Sequence, residues 1–413
     1  MFAEPAAAWH EWRARWEYLL RSLQASRERS VEALSAEDPA LLETTRRRLE
    51  QRIAAEAAHI ETLTALLAPF EAEVPDADIA TYLALRTRLP PDQGLLTYYS
   101  NVHRDWAWGD AENTASAELL FSVIGDHSPR RMLVLGSGAG RLTYDLHQHY
   151  KPDLSIGLDF NPLLGVIADQ LTKGEAVRLR EFPIAPRNID DFGIENELRC
   201  AAAEPGLHWI IGDTHRPPFP PKSFDTVVTP WLIDIIPEQL ETFMIRINNL
   251  LTDGGVWVNF GSLSFMNVHP ARQYSLDECQ ELMTQHGFDT ARVDTRELSY
   301  LSSPVSRHGR SEEVLAWAAT KIAHEKKVPK YEALPDWLVR GNEPVPLTQG
   351  VQTQATSSQV HGFLLSLIDG RRTLKDIAKI AVERRLLEPQ DAEATIRNFL
   401  IKMAEESRRL GYQ

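Results

Sequence analysis

The chain has 413 residues, 43% of them hydrophobic and 25% charged, the composition of a folded globular protein with room for more than one domain. Its 58 acidic residues outnumber 44 basic ones, and the formal net charge of -14 would repel a phosphate backbone, so nucleic acid is not an expected partner. No apolar run is long enough for a bilayer, the opening MFAEPAAAWHEW lacks the features of a secretion signal, and Cys200 and Cys279 offer no disulfide framework; a cytosolic protein without a membrane partner is expected.

Residues 1–97 are expected to form an antiparallel helical hairpin. Trp9, Trp12, Trp16, Leu19, Leu20 and Leu23 recur at spacings of three and four. After a break at Ser35 to Pro39, Leu42, Leu49, Ile53, Ala57, Ile60, Leu63 and Leu67 repeat that period up to Pro69. Such a hairpin can cover a main domain or pair with a second copy, which makes a homodimer one expected assembly.

The segment YYSNVHRDWAWGDAEN and a helical run after it open a second region, 98–328. There MLVLG (132–136) and LSIGLDF (154–160) read as short buried strands alternating with the helices RLTYDLHQHY and PLLGVIADQLTKG. LHWIIGD, FDTVVTPWLID and GVWVNFGSL read as three further buried strands with helices between them. Strands alternating with helices predict an α/β, doubly wound, mostly parallel sheet covered on both faces. Prolines at 329, 335, 344 and 346 and the polar run QGVQTQATSSQ mark 329–354 as a linker, and 355–413 as a small module of three short helices.

The chemistry centres on LGSGAGRL, whose Gly136, Gly138 and Gly140 follow the first strand of that region. Glycines there allow unusual backbone angles and close approach of a ligand to the main chain. Asp159 ends the next strand, 23 residues after Gly136, where a carboxylate can accept both hydroxyl protons of a ribose. Dinucleotide folds use G-x-G-x-x-G to seat a pyrophosphate; here the pattern is G-x-G-x-G followed by Arg141-Leu142. That difference, with Gly212-Asp213 placed to accept an adenine amino group and SFDTVV after it, points to S-adenosylmethionine, a cofactor without phosphate. Gly136, Gly138, Gly140, Arg141, Asp159 and Asp213 are the candidate cofactor-binding residues. Asp213 has a helix-cap alternative, and Asp225 of SFDTVV is a strand-start residue or a ligand.

From WRARWEYLL through VHRDWAWGDAEN, LVLGSGAGRL, WLID, GGVWVNFGSL and YSLDECQELMTQHGF, roughly residues 9–320, the chain resembles the carnosine N-methyltransferase family. The resemblance implies a seven-stranded Rossmann-like methyltransferase sheet and transfer of a methyl group to an imidazole nitrogen of a histidine-containing small molecule or peptide. It makes Asp234 the carboxylate that contacts the imidazole, with a helix cap near Pro237 as the alternative, and brings in Tyr300 of RELSYLSS as a substrate contact or a strand-face aromatic. Where the family has a Tyr-His pair this chain has Phe265-Met266, and His269 three residues on is the candidate replacement. Methylation of another nitrogen or an oxygen, and binding without catalysis, are the rival readings. SLIDGRRTLKDIAKIAVERR and the helix after it resemble the winged-helix modules related to PqqD, which bind leader peptides; dimerisation or a lid is the alternative. No metal site is expected.

Overall fold

The computed structural model describes residues 6–35, 41–71, 95–236, 238–265, 270–289, 292–325, 342 and 344–409. The chain divides into two compact units, Met1–Lys330 and Tyr331–Gln413. In the first, α1 (Ala6–Ser35) and α2 (Glu43–Glu71) lie antiparallel, tied near their ends by Arg46 Nη1 to Leu34 O and further along by Ser26 Oγ to Glu56. The expected hairpin residues 36–40 and 72–94 lie outside the described residues. α3 (Tyr99–His103) runs into one π-helical turn, Arg104–Trp108, closed by Gly109 N–H donating to Arg104 O at 2.8 Å, and α4 (Asp110–Ile124) follows.

Next come β1 (Arg131–Leu135), α5 (Arg141–Tyr150), β2 (Leu154–Asp159), α6 (Pro162–Thr172), β3 (Val177–Glu181), β4 (Ile194–Leu198), β5 (Leu207–Ile211), β6 (Phe224–Pro230), α7 (Leu240–Leu250), β7 (Leu251–Gly261), α8 (Leu276–Gln285), β8 (Arg292–Tyr300) and β9 (Arg310–Thr320). Seven strands form one sheet in the order β5-β2-β1-β6-β7-β9-β8. The first five are parallel and β9 runs against its neighbours β7 and β8, the mostly parallel doubly wound sheet that the alternation predicted. Successive rows across the sheet face opposite ways. Ile156, Leu133, Val227, Trp257 and Ala319 form one row against α7 and α8, while Val134, Val228 and Val258 of the next row pack toward Leu119, Leu120 and Val123 of α4. Each such fully buried aliphatic side chain contributes about 2 kcal/mol, so the two rows fix the register of the strands.

In the first unit two features depart from the sequence expectation, and in the second the polar run expected as linker does. β3 and β4 pair as a separate antiparallel ribbon, and no helix joins β5 to β6, because Pro217, Pro218, Pro220 and Pro221 deny that connection a helix. The ribbon's tip is bonded to the loop after β8, with Arg307 N–H donating to Ala185 O at 2.7 Å and Arg187 N–H to Val305 O at 3.0 Å. In the second unit, QGVQTQATSSQ is helical: α9 (Gln349–Ser366) starts from Thr348, whose hydroxyl accepts from Val351 N–H. α10 (Leu374–Glu383) and α11 (Ala392–Arg409) pack with it around Leu367, Ile377, Ala381 and Ile396, and among the described residues of this unit there is no strand. No helix among the described residues is long and apolar enough to cross a membrane.

The first unit's hairpin rests on α6 and the β3–β4 ribbon through Trp16, Leu63, Leu67, Leu164 and Leu179. Polar groups are buried in the same layer. His59 of α2 and His103 of α3 flank the Tyr99 ring at centroid distances of 5.4 and 5.1 Å, and Asn196 donates to His103 Nδ1 and to Glu181. Burial, with the charges of His103 and Arg180 adding at His59, lowers both imidazoles to about 4. The unfolded chain takes up these protons near pH 6.5 and the fold refuses them until about pH 4, so stability falls as pH drops through that window, by about 1.4 kcal/mol per unit of depression for each residue. We expect the unfolding midpoint to fall between pH 7 and 5, and His59→Phe to reduce that dependence; an equal pH slope in urea titrations of the variant would remove His59 from the account.

Candidate cofactor and acceptor site

The turn after β1 is bonded to β2 before any ligand is considered. Gly136 and Ser137 N–H both donate to Leu158 O, at 2.8 and 3.1 Å. Gly136, Gly138 and Gly140 have φ of 71°, 56° and 93°, a region side chains avoid. The last two are glycine for different reasons. A Cβ on Gly140 would lie 2.6 Å from the Trp209 ring and 2.9 Å from Ala168 Cβ, so that position serves packing. A Cβ on Gly138 would meet nothing within 4 Å, so this is the loop's open side.

Asp159 lies beside that turn. Its Oδ2 accepts from Gly138 N–H at 2.8 Å and its Oδ1 from Asn161 N–H at 2.9 Å, and only 8% of the residue is exposed. Burial pushes the carboxyl up, while the amides of Asn161, Gly138 and Phe160 hold it back. Its partners are amides rather than a cation, and three of them on about four acceptor sites leave room for a ribose hydroxyl. A pyrophosphate brought to Gly138 would instead face this carboxylate at close range.

Asp213 lies one strand over: β2 pairs with β5, and Gly212 N–H donates to Asp159 O at 2.9 Å. Burial would raise the Asp213 carboxyl, but the side-chain and main-chain donors of His215, at 2.7 and 2.8 Å on Oδ1, outweigh it and hold it below its ordinary value. No helix follows, so the carboxylate closes a turn instead of capping one. Arg141 is directed elsewhere. Its guanidinium donates to Asp145, Asp110 and Asp105 O and lies over Trp106, so the structure engages it in tethering the π-helical turn to α5. Asp225 accepts from the N–H groups of Arg130 and Arg131, at the opposite end of the sheet, where it pins the start of β1.

The acceptor-side candidates gather at the end of β6. Trp231 turns the chain at φ 50°, and its N–H donates to Phe260 O at 2.6 Å. Gly261 makes the turn possible, since a Cβ there would sit 3.0 Å from Trp231 Cα. Asp234 follows, 6% exposed; Ser262 Oγ donates to its Oδ2, and Ser264 N–H donates to the same oxygen at 3.1 Å. Burial pushes this carboxyl above its ordinary value, partly opposed by those donors. It caps no helix: α7 starts from Gln239 without a side-chain cap. Tyr300, 66 residues away in sequence, stands edge-on to Trp231 at 5.1 Å and lies under Arg310 at 4.3 Å. His269 lies outside the described residues, and Phe265 is buried edge-on to Tyr274.

Four contributors escaped the sequence reading. Trp106 Nε1 donates to Ala139 O at 2.8 Å, so the HRDW segment holds the glycine turn from behind. Arg104 bonds Asp105 and Glu112, and Glu112 accepts from Leu301 N–H at 3.1 Å, which binds α4 to the end of β8. Ser262 anchors Asp234. Tyr98 has a phenol pushed up by burial first and then by the charges of Tyr300, Asp159 and Asp234, and it follows Leu95 and Thr97, whose carbonyls accept from Asn161 Nδ2. Two of these, Arg104 and Trp106, stand on the π-helical turn, a common mark of functional sites that only the structure shows.

Because Gly140 has both a positive φ and no room, Gly140→Ala is expected to cost about 2–4 kcal/mol, whereas Gly138→Ala bears only the conformational cost of about 1 kcal/mol. Denaturant unfolding of both variants checks this; equal losses would contradict the packing role of Gly140.

Residues 183–321 match the family described as carnosine N-methyltransferase, a stretch that includes Asp213, Asp234, Ser262 and Tyr300. No protein of curated function matches the chain. Similar solved structures include the N-methyltransferase NodS of Bradyrhizobium japonicum in complex with S-adenosylhomocysteine, 15% identical over 55% of this chain and 99% of that one, with a TM-score of 0.36. A S-adenosylmethionine-dependent methyltransferase of Methanosarcina mazei is 15% identical over 48% and 94% of the two chains, with a TM-score of 0.32. Phosphoethanolamine N-methyltransferase 2 of Haemonchus contortus in complex with S-adenosylmethionine is 16% identical over 58% and 59%, with a TM-score of 0.36.

Proposed function

We propose that this S-adenosylmethionine-dependent methyltransferase, whose residues 183–321 match the carnosine N-methyltransferase family, methylates an imidazole nitrogen of a histidine-containing small molecule or peptide. The cofactor, when bound, supplies an electrophilic methyl group on a positively charged sulfur. Asp159 and the open side of Gly138 suit its ribose, and Asp213 its adenine.

The observation that carries the reading is Asp234. It is a buried carboxylate at the carboxyl edge of the sheet, where ligands of such folds sit, and both of its donors from the β7 side converge on Oδ2. Its other oxygen is the one that meets an imidazole N–H. Accepting that proton fixes the ring's tautomer and directs the second nitrogen's lone pair at the methyl group. As that lone pair forms the new bond, the ring becomes cationic, and the neighbouring carboxylate stabilises it. Burial sharpens this attraction by excluding water. Trp231 and Tyr300 supply aromatic walls beside it.

The test is Asp234→Asn, which keeps size while removing charge. Turnover of imidazole compounds is expected to fall about 100-fold, with the affinity for S-adenosylhomocysteine within about threefold of the parent. The parent's rate should rise with pH through two ionisations: Asp234, above the ordinary carboxylate range, and the acceptor imidazole near 6.5; the variant should keep only the second. Undiminished turnover in the variant, or preference for phenols and amines over imidazoles in a labelled-cofactor screen, would overturn the assignment.

A further inference from the structure

One stretch of chain, residues 95–104, crosses the carboxyl edge of the sheet from the cofactor side to the acceptor side. It is fastened at both ends. Asn161 Nδ2 donates to Leu95 O at 3.1 Å and Thr97 O at 3.5 Å, and the main-chain N–H of the same asparagine donates to Asp159. At the other end Arg104 lies over the Tyr300 ring at 5.7 Å and donates to Glu112, which accepts from Leu301 N–H. The strand order puts β1 and β6, which leads to Asp234, between those two anchors.

Tyr98 sits in the middle of this strap, half-buried against the cluster that contains Val102, Trp106 and Leu163. Its backbone is left-handed, φ 64° and ψ 10°, a conformation that costs a bulky residue about 1 kcal/mol or more. Two other non-glycine residues share that conformation at the same edge: Trp231 at φ 50°, which opens the loop carrying Asp234, and Leu301 at φ 52°, which follows Tyr300. Strained backbone gathers where ligands are clamped, because the surrounding contacts must hold a side chain where its own preference would not put it.

We propose that Tyr98 is a positioning residue for methyl transfer: carried by a strap fastened beside Asp159 at one end and at Tyr300 at the other, it closes the site over the reacting atoms. This rests on the roles given to Asp159 and Asp234 under the proposed function. A phenol suits the place. It stays neutral, offers one donor, and presents an aromatic wall that excludes water from the donor and the nucleophile.

Two variants test it, read on the full chain. Tyr98→Phe removes only the hydroxyl; it is expected to melt with the parent, bind S-adenosylhomocysteine within about threefold in calorimetry, and lose about tenfold in kcat with KM little changed. Tyr98→Asn removes the ring but tolerates the left-handed backbone, so its melting temperature is expected to hold or rise. In that variant acceptor KM should rise about tenfold, and S-adenosylhomocysteine, followed by tryptophan fluorescence in stopped flow, should leave about tenfold faster. Activity within about twofold of the parent in both variants, or an Asn variant that loses activity only in step with melting temperature, would overturn the proposal. If the parent methylates no imidazole, the acceptor assignment fails by itself. The dissociation rate of the Asn variant still decides for Tyr98, since an unchanged rate means that nothing was closed.

Discussion

Asp159 lies at the end of β2 with one oxygen accepting from the Gly138 amide and the other from the Asn161 amide, both just under 3 Å, and nearly the whole residue is out of water. That pair of bonds fixes three things together. It holds the glycine turn open on the side where a Cβ would meet nothing, it leaves a buried carboxylate whose remaining acceptor capacity is unspent, and through Asn161 it fastens the strap at residues 95–98. A buried carboxylate without a cation is costly, and here amide donors carry the compensation.

Three aspartates stand along one sheet edge, and their surroundings assign them different tasks. Asp159 is raised by burial and held by amides; Asp213 is held low by His215; Asp234 is raised by burial and fixed through one oxygen by Ser262 and Ser264. The contrast is a matter of donors and solvent, since the residue type is the same. A carboxylate turned toward neutrality by burial, yet locked in orientation, is suited to accept a proton from a nitrogen whose charge grows during reaction. One held low beside a histidine is suited to a fixed hydrogen bond.

The elements outside the sheet brace this edge. The HRDW segment reaches the glycine turn through Trp106 and the end of β8 through Arg104 and Glu112, and Arg141 fastens it to α5. The β3–β4 ribbon joins the loop after β8 at its tip and also through Glu181, which accepts from Ser303 of that loop, from Trp108 of the π-helical turn and from Asn196 of β4. Residues that look like ligands by motif, Arg141 and Asp225 among them, turn out to hold the frame in place.

The alternation of apolar strands and helices specified the doubly wound sheet, because a strand buried on both faces must be apolar throughout, and that pattern is local. Gly136, Gly138, Asp159 and Asp213 were legible for a similar reason: each stands at the end of a strand visible in the sequence, and β1, β2 and β5 are neighbours. The β3–β4 ribbon was not legible, since exposed and buried residues alternate over only five positions in each strand. Nor was the meeting of Trp231 with Tyr300 and of Asp234 with Ser262, which come from distant segments and are joined by strand order. The sequence by itself determined the fold class and the ends of the strands; only tertiary structure decided which side chains share an edge, which aspartate is buried, and which glycine has open space beside it and which abuts a tryptophan. Burial and strand neighbours arise from contacts across the whole chain, and no local pattern encodes them.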